Sequence, residues 1–176
     1  MCEALALGYQ RIRAGLGFEK TVAEYGAFPT DPYSHTPPLA GAQQPGMTGQ
    51  VKEGILARFG ELGVQVEGGI VSFRPVLLGR SEIVSEARAY RFYDVAGKLR
   101  SLDVPPGALA FSFCQVPVVY ELSRDQAWIR VTAADGTSTT RPGDQLDLGA
   151  SQSLFARDGG ISRIEVGVPE GALRGF

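Results

Sequence analysis

Histidine, cysteine and lysine are scarce in this chain. Among 176 residues there is one histidine, His35, with two cysteines, Cys2 and Cys114, and three lysines. That supply excludes the Cys/His spacing of a structural zinc site and any disulfide framework, so no metal or cofactor is expected. Cys114 sits in the apolar run AFSFCQVPVV and reads as a small buried hydrophobe. Long apolar runs are also missing. None approaches the roughly 18 residues of a membrane-spanning helix. The N-terminus, MCEALALGYQRIR, lacks a basic segment followed by an apolar core, so a secretory signal is not expected. A cytoplasmic location is the resulting expectation. The 17 basic and 19 acidic residues are interspersed, with a net charge of −2. With no basic stripe to neutralise phosphates, nucleic-acid binding is not expected.

What the chain does have is 44% hydrophobic and 20% charged residues, the balance of a globular domain with a real core. Arginine supplies 14 of the 17 cations. Together with abundant Ala and Gly, this fits a bacterial, GC-rich source.

Residues 3–14 read as a helix, because Leu5, Tyr9 and Ile12 recur at three- and four-residue spacing, with Gly15 and Gly17 ending it. Its apolar stripe predicts a surface that needs cover, from a second copy of the chain or from an upstream helical domain. A second helix is expected over 49–60, capped by Thr48, with Val51, Ile55 and Phe59 on one stripe. From Val64 the period changes to two. GVQVEGGIVSF is a hairpin signal. Further strands are expected at 87–95, 98–104, 108–113, 116–122, 127–133, 137–140, 145–148 and 161–168, separated by Gly-, Pro- and Asp-rich turns. The fold class expected is mainly β: an antiparallel β-sandwich or jelly roll preceded by an N-terminal helix, a long ordered loop and a second helix. Residues 1–63 would form the helical part and 64–176 the sandwich, packed as one unit.

The segment Tyr25–Glu53 has neither period, yet it is aromatic and rich in proline and amides. Long ordered loops of this kind are usually functional. Asp31 and His35 lie four apart, so a tight turn would let the carboxylate orient the imidazole for acid–base work, with Glu53 a further candidate. The competing reading makes Asp31 an Asx-turn before Pro32 and gives His35 a backbone partner. Gln43 and Gln44 carry the paired donors and acceptors that suit sugar hydroxyls, and they equally suit loop carbonyls. Tyr33 in the loop, with Tyr90 and Tyr93 in the 87–95 strand, could offer stacking faces. Asp94, Asp103, Glu121 and Asp125 read as solvated strand ends.

The blocks YGAFPTDPYSHTP, GAQQPGMTGQVKE, RFGELGV and LAFSFCQVPVVYEL resemble the C-terminal region of large bacterial proteins. The upstream portion of those proteins resembles the helical-toroid domains of glycoside hydrolases and phosphorylases. The likeness spans most of residues 9–125. It implies that the first helix would be the last of a toroid and that the 25–53 segment would bridge it to the β-sandwich. The functional expectation is a non-catalytic accessory or ligand-binding module, with a saccharide as ligand. Two alternatives stand beside it: a β domain for an apolar small molecule or lipid, and an enzyme fragment using Asp31 and His35.

Overall fold

The computed structural model describes the backbone of residues 2–15 and 47–175, and the side chains of 3–12 and 54–175. The loop expected at 25–47 lies outside the described residues, apart from its last position. The chain divides into two units between Phe59 and Gly60.

The first unit holds α1 (Cys2–Gly15) and most of α2 (Met47–Glu61). Both expected helices are present. In α1, Glu3 lies in the first turn, where the helix dipole favours an acid. Its buried position is Ala6, while Leu5, Leu7 and Ile12 are exposed and Tyr9 is half-buried. The apolar stripe read from the sequence is therefore an exposed one at two of its three positions. In α2, helical structure begins at Met47, so Thr48 lies within the first turn instead of capping it. Ile55 and Leu56 of α2 are exposed.

The second unit is mainly β. It contains β1 (Val64–Glu67), β2 (Ile70–Phe73), β3 (Arg88–Tyr93), β4 (Leu99–Val104), β5 (Ala108–Phe113), β6 (Val116–Ser123), β7 (Trp128–Ala133), β8 (Ser138–Pro142) and β9 (Ile161–Pro169). β1–β2 and β3–β4 are antiparallel two-stranded ribbons, and the other five strands form one sheet in the order β5-β6-β9-β7-β8. The β1–β2 turn is Gly68-Gly69, with φ of +56° and +79°, the left-handed pair that a tight hairpin demands. The β5–β6 turn has the same handedness without glycine, at Cys114 (φ 50°) and Gln115 (φ 64°). Each such residue costs roughly 1–2 kcal/mol. Two contacts offset this: Cys114 packs on the core, and Gln115 Nε2 donates to the Asp94 carbonyl at 3.1 Å.

Two features depart from the sequence reading. β6 and β9 run parallel, so the sheet is mixed, not purely antiparallel. Residues 145–148 are not a strand. Gln145 makes an isolated bridge to Ser72, and Asp147 then caps α3 (Leu148–Ala156), accepting from Ala150 N–H at 2.7 Å.

Alternation gives the five-stranded sheet two unlike faces. Val118, Tyr120, Ile164, Val166 and Ile129 point to one side and are all buried. The β1–β2 ribbon and α3 cover that side. Phe73 of β2 meets Phe111 and Tyr120 edge-on at 6.4 and 6.3 Å between centroids, and Phe111 meets Tyr120 at 5.1 Å. Such pairs add about 0.5–1.5 kcal/mol each beyond area burial. The Tyr120 hydroxyl donates to the Leu62 carbonyl, so the largest buried ring keeps its polar tip satisfied. On the other face the β3–β4 ribbon covers only the β5–β6 half, where Tyr90 and Leu102 pack against Val104, Ala108 and Val119. The outcome is a layered, sandwich-like fold whose one sheet face is largely covered by β1–β2 and α3 and whose other face is covered over β5 and β6. No described helix is long and apolar enough to cross a membrane.

Ser151 of α3 is fully buried, and its Oγ accepts from Val71 N–H at 3.1 Å. Ser151→Ala should leave that amide unpaired and cost about 1–3 kcal/mol, read as a lower urea midpoint with an unchanged slope. The fold should also weaken in acid. Asp94 (held by Arg100, then Lys98 N–H), Asp135 (Thr137 hydroxyl), Asp147 (Ala150 N–H) and Asp158 (Ser153 hydroxyl) all have carboxyl pKa values below the usual range. A depressed carboxyl stabilises the fold above its unfolded value of about 3.9, and that contribution is lost as pH falls through the lower folded value. Melting temperature should therefore be flat near neutrality and drop below about pH 4.

Candidate functional site

Three clefts stand out among the described residues of the second unit. The first, of about 220 Å³, is bounded by β7, β8 and the start of α3. Its charged lining is Arg141 and Asp147, paired with each other at 2.5 Å, while Asp147 also caps α3. The second, of about 430 Å³, lies between the β3–β4 ribbon and the sheet. Its Asp94 accepts from Ala96 N–H, Lys98 N–H and Arg100 Nε at 2.7–3.0 Å, which uses the carboxylate fully. The third, of about 280 Å³, is mostly apolar and lined by Phe73, Pro75, Val76 and Val168. In the first two, the acids are already spent on the protein itself.

The open half of the partly covered sheet face is different. Strand register sets Val119, Glu165, Arg130 and Thr140 side by side in one row across β6, β9, β7 and β8. The next row is Glu121, Gly167, Trp128 and Pro142. Glu165 is 7% exposed, yet it lies between two arginines. Arg163 NH2 approaches its Oε1 at 3.3 Å, and Arg130 NH1 stands 3.6 Å from Oε2. The second distance is too long for a hydrogen bond. Oε2 is buried and has no hydrogen-bond partner, and neither has Arg163 Nε. Orphaned groups of this kind cost about 1–3 kcal/mol each and call for an explanation.

Trp128 lies beside this cluster. Arg130 carries its guanidinium over the indole at 5.1 Å from the centroid, and Arg130 Nε donates to Thr140 Oγ1 at 3.1 Å. The indole can reach across the sheet only because residue 167 is glycine: a Cβ there would stand 2.1 Å from Trp128 Nε1. Glu121, on the far side of Gly167, has no hydrogen-bond or ion-pair partner among the described residues. The sequence reading treated Glu121 as a solvated strand end. It is instead a half-buried interior position of β6, paired with Ala108 and Gly167.

Most residues singled out from sequence fall elsewhere. Asp31, Tyr33, His35, Gln43 and Gln44 lie outside the described residues, as does the side chain of Glu53. Tyr90 faces the sheet, where its hydroxyl shares a hydrogen bond with Ser112 Oγ at 2.9 Å and its ring stacks on Phe92. Tyr93 is 62% exposed and points to the opposite side of β3, so the two tyrosines do not share a platform. Trp128, Arg130, Arg163 and Glu165 were not singled out. The signal available was alternation: in AWIRVTA and SRIEVGV, tryptophan and paired charges share one parity while the other parity is apolar.

Gly167→Ala should evict the indole from its seat. Expected are a red-shifted emission from Trp128, the chain's single tryptophan, and a stability loss of about 1–3 kcal/mol from overpacking. An unchanged spectrum would contradict the packing described. As for known proteins, no family model matches this chain and no curated protein matches its sequence.

Proposed function

We propose that this protein is a non-catalytic, β-sandwich ligand-binding module whose ligand is a saccharide, bound on the open sheet face at Trp128. The observation that carries the reading is Glu165. A carboxylate almost wholly buried, with one oxygen lacking a hydrogen bond, stands next to the only tryptophan on a face otherwise lined by Arg130, Arg163, Thr140 and Glu121. Sugars offer an apolar ring face to an aromatic and a rim of hydroxyls to such donors and acceptors. The resemblance of residues 9–125 to the C-terminal region of large bacterial proteins, whose upstream portion resembles the helical-toroid domains of glycoside hydrolases and phosphorylases, favours the same class of ligand.

A second reading, a carrier of an apolar small molecule, draws on the 280 Å³ apolar cleft at Phe73 and Val168. That volume lies just under the roughly 300–1,000 Å³ usual for ligand pockets, and the charged side chains of its lining, Arg74 and Asp144, are spent on each other at 2.9 Å. The saccharide reading therefore leads.

Because Trp128 is the only tryptophan, its intrinsic emission reports the site directly. Titration of the full chain with a panel of oligosaccharides should shift that emission, with matching heats by calorimetry. Trp128→Ala should weaken binding by about tenfold or more, the worth of one stacking contact. Silence in both measurements up to millimolar sugar would overturn the proposal.

A further inference from the structure

We infer that the saccharide is a cationic amino sugar, and that Arg130 in the free protein occupies the place its ammonium takes. This rests on the saccharide reading above and narrows it. The first observation is that the site already seats a cation. The Arg130 guanidinium lies over the Trp128 ring at 5.1 Å and beside Glu165 Oε2 at 3.6 Å, the aromatic-plus-carboxylate setting that organic cations prefer. It fills that place incompletely, since no hydrogen bond closes to Oε2.

The second observation is independent of Arg130. Glu165 is more than nine-tenths buried, and Arg163 holds its other oxygen, Oε1, so the carboxylate cannot turn to satisfy itself. An ammonium is a compact donor that can approach Oε2 closely where the planar guanidinium, tethered through Nε to Thr140 Oγ1, stands off. The Arg130 side chain is 40% exposed and has solvent to swing into.

Charge balance points the same way. With Arg130 turned outward, the site holds Arg163, Glu165 and the unpartnered Glu121, one negative charge in excess. A ring stacked on the indole, which itself lies over Gly167, would bring a protonated amine to Glu165 Oε2 on a face that also carries Glu121. A uronic acid in that position would set its carboxylate against Glu165.

The test is calorimetry and Trp128 emission on the full chain with four probes: a glucosamine tetrasaccharide, its N-acetylated counterpart, a neutral glucose tetrasaccharide and a galacturonic acid tetrasaccharide. The amine should bind about tenfold or more tighter than its acetylated form, as for a charge-assisted hydrogen bond. Glu165→Gln should erase that preference. Glu121→Gln, at a half-exposed position that leaves the Arg163 pair intact, should reduce it and serves if Glu165→Gln unfolds the protein. Arg130→Ala, which removes the resident cation, should tighten amine binding severalfold. Equal binding of the amine and acetylated forms, or a preference for the uronic acid, would overturn the inference while leaving the saccharide reading standing. So would Arg130→Ala weakening amine binding. No binding to any of the four would overturn both.

Discussion

Insertion of β9 between β6 and β7 is the interaction on which the rest of the second unit depends. The other four strands of the large sheet are two local hairpins, β5–β6 and β7–β8, and nothing in the strand order joins them except β9. β9 pairs parallel with β6 over Val118–Ser123 and antiparallel with β7 over Trp128–Ala133. A parallel pair cannot be closed by a tight turn. The crossover from β6 to β9 contains β7, β8 and α3, so this pairing joins residues more than forty positions apart, such as Val118 and Ile164. Contacts of that sequence separation are slow to form and costly in loop entropy. The alternating apolar side chains of β9 (Ile164, Val166 and Val168, each at most 2% exposed) offset that cost.

The same insertion explains the candidate site. A central strand buries both of its faces, and β9 places Glu165 and Gly167 on the side that no apolar layer fills over β7 and β8. On an edge strand, Glu165 would be an ordinary solvated acid. In the middle of the sheet it is walled by Arg130 from β7 and by Arg163 two residues earlier on its own strand. Cross-strand opposite charges of this kind add only about 0.2–1 kcal/mol, less than the cost of one orphaned buried oxygen. Stability therefore does not account for keeping a charged trio with an unmade hydrogen bond. The proposed ligand would complete that bond.

Much of the architecture was legible in the sequence because it is local. The change from a helical period to a period of two at Val64, the Gly68-Gly69 turn and the punctuation at Gly97, Gly107 and Gly136 fix which residues alternate together, and of the strands that punctuation implies all but 145–148 are there within a few residues. α3 was hidden for a physical reason. Its nine residues include Gly149 and two serines, poor helix formers, and what holds it is the Asp147 cap and the buried Ser151–Val71 hydrogen bond. The parallel β6–β9 pairing was hidden because register between strands forty residues apart leaves no local trace.

Glu121, Gly167 and Trp128 show the same limit at the level of the site. Each is unremarked in its own strand: an acid near a strand end, a glycine in an apolar run, a tryptophan beginning a strand. Only the β6–β9–β7 register sets them in one row, and only then does the glycine acquire a reason, since a side chain at 167 would collide with the indole. The segment Tyr25–Glu53 draws the eye because its chemistry is contiguous in sequence. The sheet face gathers its chemistry from three strands, so the pairing that completes the core is also what assembles the proposed binding face. A substitution that loosens β9, even on its apolar side, should then disturb Trp128 and Glu165 together.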